Sequence, residues 1–432
     1  MVVMVRSIWC FLRGKLERQK RIPGRTRIGQ YPVYILLAVL LPSVCASHAS
    51  GSDETERISC FVMGIVDPNH CPLTAYFKID PLFRYSLYPI PPFLFIHEKQ
   101  KLDRVYFPRT REILISEYDM IIFSDPWIEH FTTKRLHDLD YVLREGGVHS
   151  FGTFSLPFAD VWMPTILYYT VPITQYYDYA RVPYRVAFRR EREPVLTPFI
   201  ELGMEKIVGD GYHVLVPREG ATTWADVHES ETPWLVSWRP GGSNAGIQWV
   251  CSGTWDAGWW GMGDWWETRG VEGIDKNPYA IDMVTNLILY SLDLPLIGDI
   301  HARRGARHLI QTFHGQKSLI LSMMEWADSY GADVSELYLM VTELEGQAEV
   351  AARHYLDQDY PAVFDTMESI TARVEEATAH AVRLKNEALF WIYVIEWISI
   401  GSVSCIAGVA VWALMIRRQK YHVVESTRLR QF

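Results

Sequence analysis

The clearest alternation of apolar and polar positions lies near the C-terminus. Leu337, Val341, Leu344, Ala348, Ala351 and Tyr355 are spaced alternately four and three residues apart. So are Val363, Met367, Ile370, Val374, Ala377, Ala381, Leu384 and Ala388. This spacing puts the apolar side chains on one seam of each of two helices, as in a coiled coil. Asp333 with Glu336 makes a capping-box-like start. DQDYP (357–361) breaks the run, and Pro361 is placed to open the second helix. The pattern predicts an antiparallel helical hairpin over 333–388. With no stop signal before the next apolar segment, the second helix is expected to run on into it, with 363–387 as a stalk of roughly 37 Å.

That segment, LFWIYVIEWISIGSVSCIAGVAVWALMI (389–416), is longer than the roughly 20 apolar residues a spanning helix needs. Phe390, Trp391, Tyr393 and Trp397 crowd its first turns like an interfacial aromatic belt, and Arg417, Arg418 and Lys420 follow its other end. A second apolar stretch, YPVYILLAVLLPSVCASHAS (31–50), has no charged residue and is preceded by eight Lys/Arg and a single Glu within 1–30. A basic lead, a short apolar run and a small-residue exit describe a secretory signal over 1–50, with an uncleaved anchor as the alternative. Both ends predict one topology. Residues 51–388 lie outside, 389–416 cross the membrane as a single type I span, and the basic tail 417–432 is cytoplasmic.

Between the two, ISCFVMGIV (58–66), YSLYPIP (85–91), YDMIIFSD (118–125) and VHSFGTFS (148–155) read as strands. LHDLDYVLREGG (136–147) reads as a helix stopped by its glycine pair. Strand–helix–strand alternation predicts a mostly parallel, Rossmann- or flavodoxin-like α/β sheet. YRVAFRR, GYHVLVP, PWLVSWRPGG and IQWVCSGTW follow as strands without helices between them, so this half of the 51–300 domain is expected to be partly antiparallel. PYAIDMVTNLILYSL (278–292) closes it as a helix. Residues 301–332 are expected to be a connector and first helix, beginning with a solvated basic island of His301, Arg303, Arg304, Arg307, His308, His314 and Lys317.

Charge narrows the partners. The chain carries a net charge of −9, and its basic ends leave about −20 on 51–416. An exterior this acidic argues against nucleic acid and against adhesion to anionic lipid. The membrane, other membrane or surface proteins and a glycan remain. Three cysteines fall in the exterior part, Cys60, Cys71 and Cys251; Cys60–Cys71 is the plausible bridge, with free buried thiols as the alternative. No spacing of Cys, His or carboxylates demands a metal, and no cofactor is expected.

WDAGWWGMGDWWE (255–267) holds five tryptophans in thirteen residues. Trp255, Trp259 and Trp260 with Asp256 and Asp264 could form a sugar platform, with indoles stacking on sugar faces and carboxylates accepting hydroxyls. Alternatively the indoles pack over the end of the sheet. Asp125, at a strand exit, and Asp160 are further ligand-binding candidates, since open α/β sheets bind at the carboxyl ends of their strands. A turn residue and a helix cap are the competing roles.

YDMIIFSDPWIEHFTTKRLHDLDYVLREGGVHSFGTF and the later RPGGSNAGIQWVCSGTWDAGWW…NPYAIDMVTNLILYSL resemble membrane-linked members of the class I glutamine-amidotransferase-like superfamily, over about 58–295. The resemblance implies the α/β fold. It also implies a Cys nucleophile after the strand at 148–155, where this chain offers Ser150, Thr153 and Ser155 and no Cys. Ser150, Thr153 and His149 are the catalytic candidates that remain, and a base for either hydroxyl must come from elsewhere in the chain. His149 and Ser150 are adjacent on a strand and so point to opposite faces. The reading is a membrane-anchored binding or assembly protein with a degenerate domain. The alternative is a membrane-anchored hydrolase of a glycan or small amide.

Overall fold

The computed structural model describes residues 57–64, 72–89, 94–124, 126, 128, 131–154, 158–189, 193–252, 258–260 and 277–428. The expected signal sequence lies outside them. Nine strands make one sheet: β1 (Ile58–Gly64), β2 (Phe83–Pro89), β3 (Met120–Ser124), β4 (His149–Thr153), β5 (Ile173–Phe188), β6 (Val208–Pro217), β7 (Thr222–Val227), β8 (Pro233–Trp238) and β9 (Gln248–Cys251). The order is β2-β1-β3-β4-β9-β8-β7-β5-β6. The first five in that order are parallel and the rest antiparallel, so the sheet is mixed.

Helices α1 (Pro72–Ile79), α2 (Ile96–Tyr106), α3 (Arg111–Glu117) and α4 (Thr133–Arg144) connect the parallel strands. Short helices α5 (Phe158–Val161) and α6 (Thr197–Glu201) flank the long β5, and α7 (Ala280–Ser291) follows β9. Side chains alternate across the sheet with the period of two that extended chain imposes. Cys60, Val62, Met120, Ile122, Phe151 and Trp249 join one core with α1 and α7. Phe61, Met63, Ile121, Phe123 and Val250 join the other with α3 and α4. Parallel strands buried on both faces explain why β1 and β3 read as unbroken apolar runs. Helix α4 begins three residues earlier than its apolar pattern, because the Thr132 hydroxyl accepts from the Arg135 N–H and caps it.

Three long helices complete the chain: α8 (Ile300–Ser329), α9 (Ser335–Leu356) and α10 (Tyr360–Arg428). Both predicted seams are interior, with Leu337, Leu344, Ala351, Val363, Ile370 and Ala377 at 1 % exposure or less. They do not face each other alone. Helix α8 packs beside both, supplying Ile310, Phe313, Ile320 and Met324, and this core is continuous with the sheet's first face. The expected two-helix stalk is thus a three-helix bundle fused to the sheet. The expected basic connector is the opening of α8, with Arg303 and Arg307 buried rather than solvated. Lys317–Glu345 links α8 to α9 and Arg373–Glu343 links α9 to α10 across their outer faces.

Helix α10 includes one stretch long and apolar enough to cross a membrane. Its aromatic and aliphatic side chains there, Trp397, Val403 and Ile406 among them, are exposed around the helix.

Candidate functional site

Strand order places a topological switch between β1 and β3, where an open α/β sheet leaves a crevice at the carboxyl ends. Gly64, Ser124 and Thr153 end their strands side by side. Thr153 is buried there. Asp125 and Ser155 lie outside the described residues. Asp160 is in the first turn of α5 and exposed, without a described partner that would make it part of a pocket.

His149 and Ser150 open β4, at the opposite edge from the crevice. The Ser150 hydroxyl donates to Gln248 Oε1 in the neighbouring strand. The Gln248 amide in turn donates to the Gly246 carbonyl at 3.0 Å. Both residues are buried. His149 Nδ1 accepts the Ile247 N–H at 2.9 Å. Burial first, and then Arg239, push its pKa down to about 4, so the ring is neutral near pH 7. These groups fasten β4 to β9. Asp293 acts on the His149 ring through its charge, raising the pKa against burial and Arg239, and no described hydrogen bond brings a base to Ser150, in line with the opposite-face placement expected of His149.

The glycines nearby serve the same junction. The β8–β9 loop folds onto the α4–β4 turn so closely that a Cβ on Gly246 would lie 2.1 Å from the Val148 carbonyl. Gly147 has φ +77°, which favours glycine. Glu145 accepts from both the Ser243 N–H and hydroxyl across the contact.

Trp259 and Trp260 have no exposed surface. Trp260 stacks on Trp234 with centroids 5.0 Å apart and planes 10° apart, and Trp259 meets Trp234 edge-on at 4.5 Å. The Trp260 indole N–H donates to the Ser252 carbonyl and Asn277 donates to the Trp259 carbonyl. The Tyr76 hydroxyl donates to the Trp260 carbonyl. An indole that stacks on sugar needs a free face, and neither has one; of the two readings, these two positions take the packed one and not the sugar platform. Trp255, Asp256 and Asp264 lie outside the described residues. Cys60 is a free buried thiol on β1, its pKa raised by burial and then by Asp119; Cys71, its expected bridge partner, lies outside the described residues.

The most concentrated chemistry was not among the candidates. Asp80, just beyond α1, and Asp282, on α7, meet Arg303 and Arg307 of α8 in the interior. Arg303 reaches Asp80 at 2.6 Å, and Arg307 reaches Asp282 at 2.6 and 3.0 Å with two nitrogens. The Tyr355 hydroxyl donates to Asp80 at 3.1 Å. Two cations and two anions balance, which is what burial of charge requires. Burial alone would raise the Asp80 pKa. Arg303 and then Arg307 overcome it and hold the carboxyl below its usual range. Burial raises the Tyr355 pKa well above the ordinary tyrosine value, so it remains a hydroxyl donor. A cavity of about 610 Å³ opens beside this network, with Arg303 and Tyr355 among its lining residues and Arg57, Asp119, Asp357 and Gln358 supplying further polar groups.

Two signals could have revealed the network. Asp282 is a lone acid in an apolar helix, and Arg303 and Arg307 fall at seam spacing between Ile300 and Ile310. Among the described residues, no cluster of His, Cys, Asp and Glu could hold a metal ion. Comparisons with protein-family models, curated proteins and solved structures give no match to this chain.

Proposed function

We propose that the chain is a membrane-anchored binding or assembly protein. Its α/β domain is of degenerate amidotransferase-like type, presented outside the cell by a single type I span. The observation that carries this reading is the state of β4. The Ser150 hydroxyl is committed to Gln248 of β9, and the His149 Nδ1 to the Ile247 N–H just before it. The fused core supports the assembly role, because a domain continuous with its bundle transmits position from membrane to sheet. Partners on this reading are other membrane or surface proteins. A glycan remains a candidate ligand only through residues beyond Trp259 and Trp260.

The test sets labelling of the purified full-length chain by a fluorophosphonate, which reacts with activated hydroxyls, beside cross-linking in native membranes. Labelling should be no greater than in a Ser150→Ala/Thr153→Val double variant, and cross-linking should give one discrete heteromeric band. The Ser150→Ala change should cost about 1–3 kcal/mol of stability, since it leaves Gln248 Oε1 buried and unpaired, without altering that band. Labelling that maps to Ser150 or Thr153 would replace the assembly reading with the hydrolase.

A further inference from the structure

The basic island splits in two on folding. Arg303 and Arg307 turn inward to the ion network, whereas His301, Arg304, His308 and Gln311 follow at three- and four-residue steps along one face of α8. That face borders a groove of about 490 Å³ whose far side includes Ile79 and the start of α7 at Pro278 and Ile281. Among the described residues, no carboxylate lines it. Asp282, the nearest acid in the network, already takes both Arg307 nitrogens.

Arg304 is the decisive residue. Its guanidinium lies 5.0 Å from the centre of the Tyr279 ring. No described carboxylate neutralises it. Stacking on the ring holds the planar group while leaving its N–H edge for an acceptor. His301 meets the edge of the same ring at 6.1 Å. Arg307, almost fully buried, forms the inner wall. Donors and cations thus converge in a segment of the chain whose net charge is otherwise strongly acidic. They are side chains spread over three helical turns, not the free N–H groups of a helix end.

We infer that this groove binds an oxyanion of the phosphate or sulfate type, with Arg304 as its principal donor and His301 and His308 flanking it. Such groups suit a planar, always-charged guanidinium, which grips them with two parallel hydrogen bonds. A phosphate could come from solution or from a lipid headgroup. The groove lies level with the start of α10, because Gly305 packs against Phe364. Residue 389 is 25 residues further along that helix, about 37 Å at 1.5 Å per residue. The inference therefore rests on the membrane-anchor reading only in favouring the dissolved anion over the chain's own bilayer.

The experiment titrates full-length chain in a neutral detergent with inorganic phosphate, and separately with sulfate, against chloride at constant ionic strength. Saturable binding is expected. Arg304→Gln should weaken it at least tenfold while moving the melting temperature by no more than about a degree, because Arg304 makes no buried ion pair. Tyr279→Phe should retain affinity, and Tyr279→Ala should lose most of it. Absence of saturable binding, or equal binding by Arg304→Gln, overturns the site. A parallel arm uses phosphatidic-acid vesicles. Vesicle binding that depends on Arg304 in a chain that ignores free phosphate would overturn the dissolved-anion assignment. Neither arm depends on whether the chain captures protein partners.

Discussion

His149 shows how one side chain sets a property of the whole fold. Burial pushes its pKa down to about 4, and burial does the same to His213 on β6. Both are neutral in the folded chain at pH values where the unfolded chain, with its ordinary pKa near 6.5, has begun to take up protons. The unfolded state then binds more protons, so stability must rise with pH between about 4 and 6.5 and is fully present above that window. Each ring contributes up to about 3 kcal/mol by this route. Denaturation of the detergent-solubilised chain should therefore steepen in acid over this range. His149→Asn, which keeps an acceptor for the Ile247 N–H, should remove roughly half of the slope; an unchanged slope would mean that His149 is not the titrating group. Little of this was legible in the sequence. HSFGT reads correctly as a strand, but adjacent His and Ser look like chemistry until β9, about a hundred residues later, supplies the partners that occupy them. The tryptophan stretch has the same difficulty, because a packed indole and a ligand-stacking one have the same letter, and only Trp234 across the sheet tells them apart.

Among the elements, α8 separates what periodicity reveals from what it hides. The seams of α9 and α10 were readable because nearly every seam position is aliphatic or alanine. The buried side of α8 runs Ile300, Arg303, Arg307, Ile310, Phe313, Ile320, Met324 and Ala327, which is the same periodicity with two charges in it. A rule that puts charge outside misreads it, since the neutralising Asp80 and Asp282 lie in other elements. Strand β7 was missed for another reason: TTWADV is short and mixed, and its partners β5 and β8 give it its conformation. The network predicts how the elements come apart. Arg303→Met leaves Asp80 and Asp282 sharing one arginine in the interior, and loss of one partner of a buried pair costs about 3–5 kcal/mol. Because the core is continuous, circular dichroism and tryptophan fluorescence should still report a single melting transition, displaced downward. Two separated transitions, helices first and sheet later, would show that the bundle is an independent module after all.

At the scale of the whole molecule, one feature of the sequence and one of the fold have to agree. The charge pattern puts basic residues at both ends and an acidic stretch between them. The fold makes α10 a single helix of 69 residues, about 100 Å long, that starts in the domain core and continues through the apolar stretch. A helix cannot bury its first turns in a folded domain and also carry them through a bilayer, so on the proposed anchor reading the sheet and bundle sit wholly on one side. On the proposed topology, the excess of Arg and Lys after residue 416 puts that end in the cytoplasm. Protease added to intact cells, after removal of any surface layer, should then degrade the chain up to about residue 388. A small membrane-embedded fragment carrying Arg417 and the tail should survive. An antibody to an epitope fused at the C-terminus should detect that fragment without permeabilisation changing its size. If the whole chain is protected until cells are opened, the domain faces the cytoplasm. The charge rule would then have been read at the wrong end, and the N-terminal apolar stretch would not have acted as an export signal. If the tail fragment itself is digested from outside, the apolar part of α10 does not cross the membrane, and its exposed tryptophans and isoleucines must be covered by another protein.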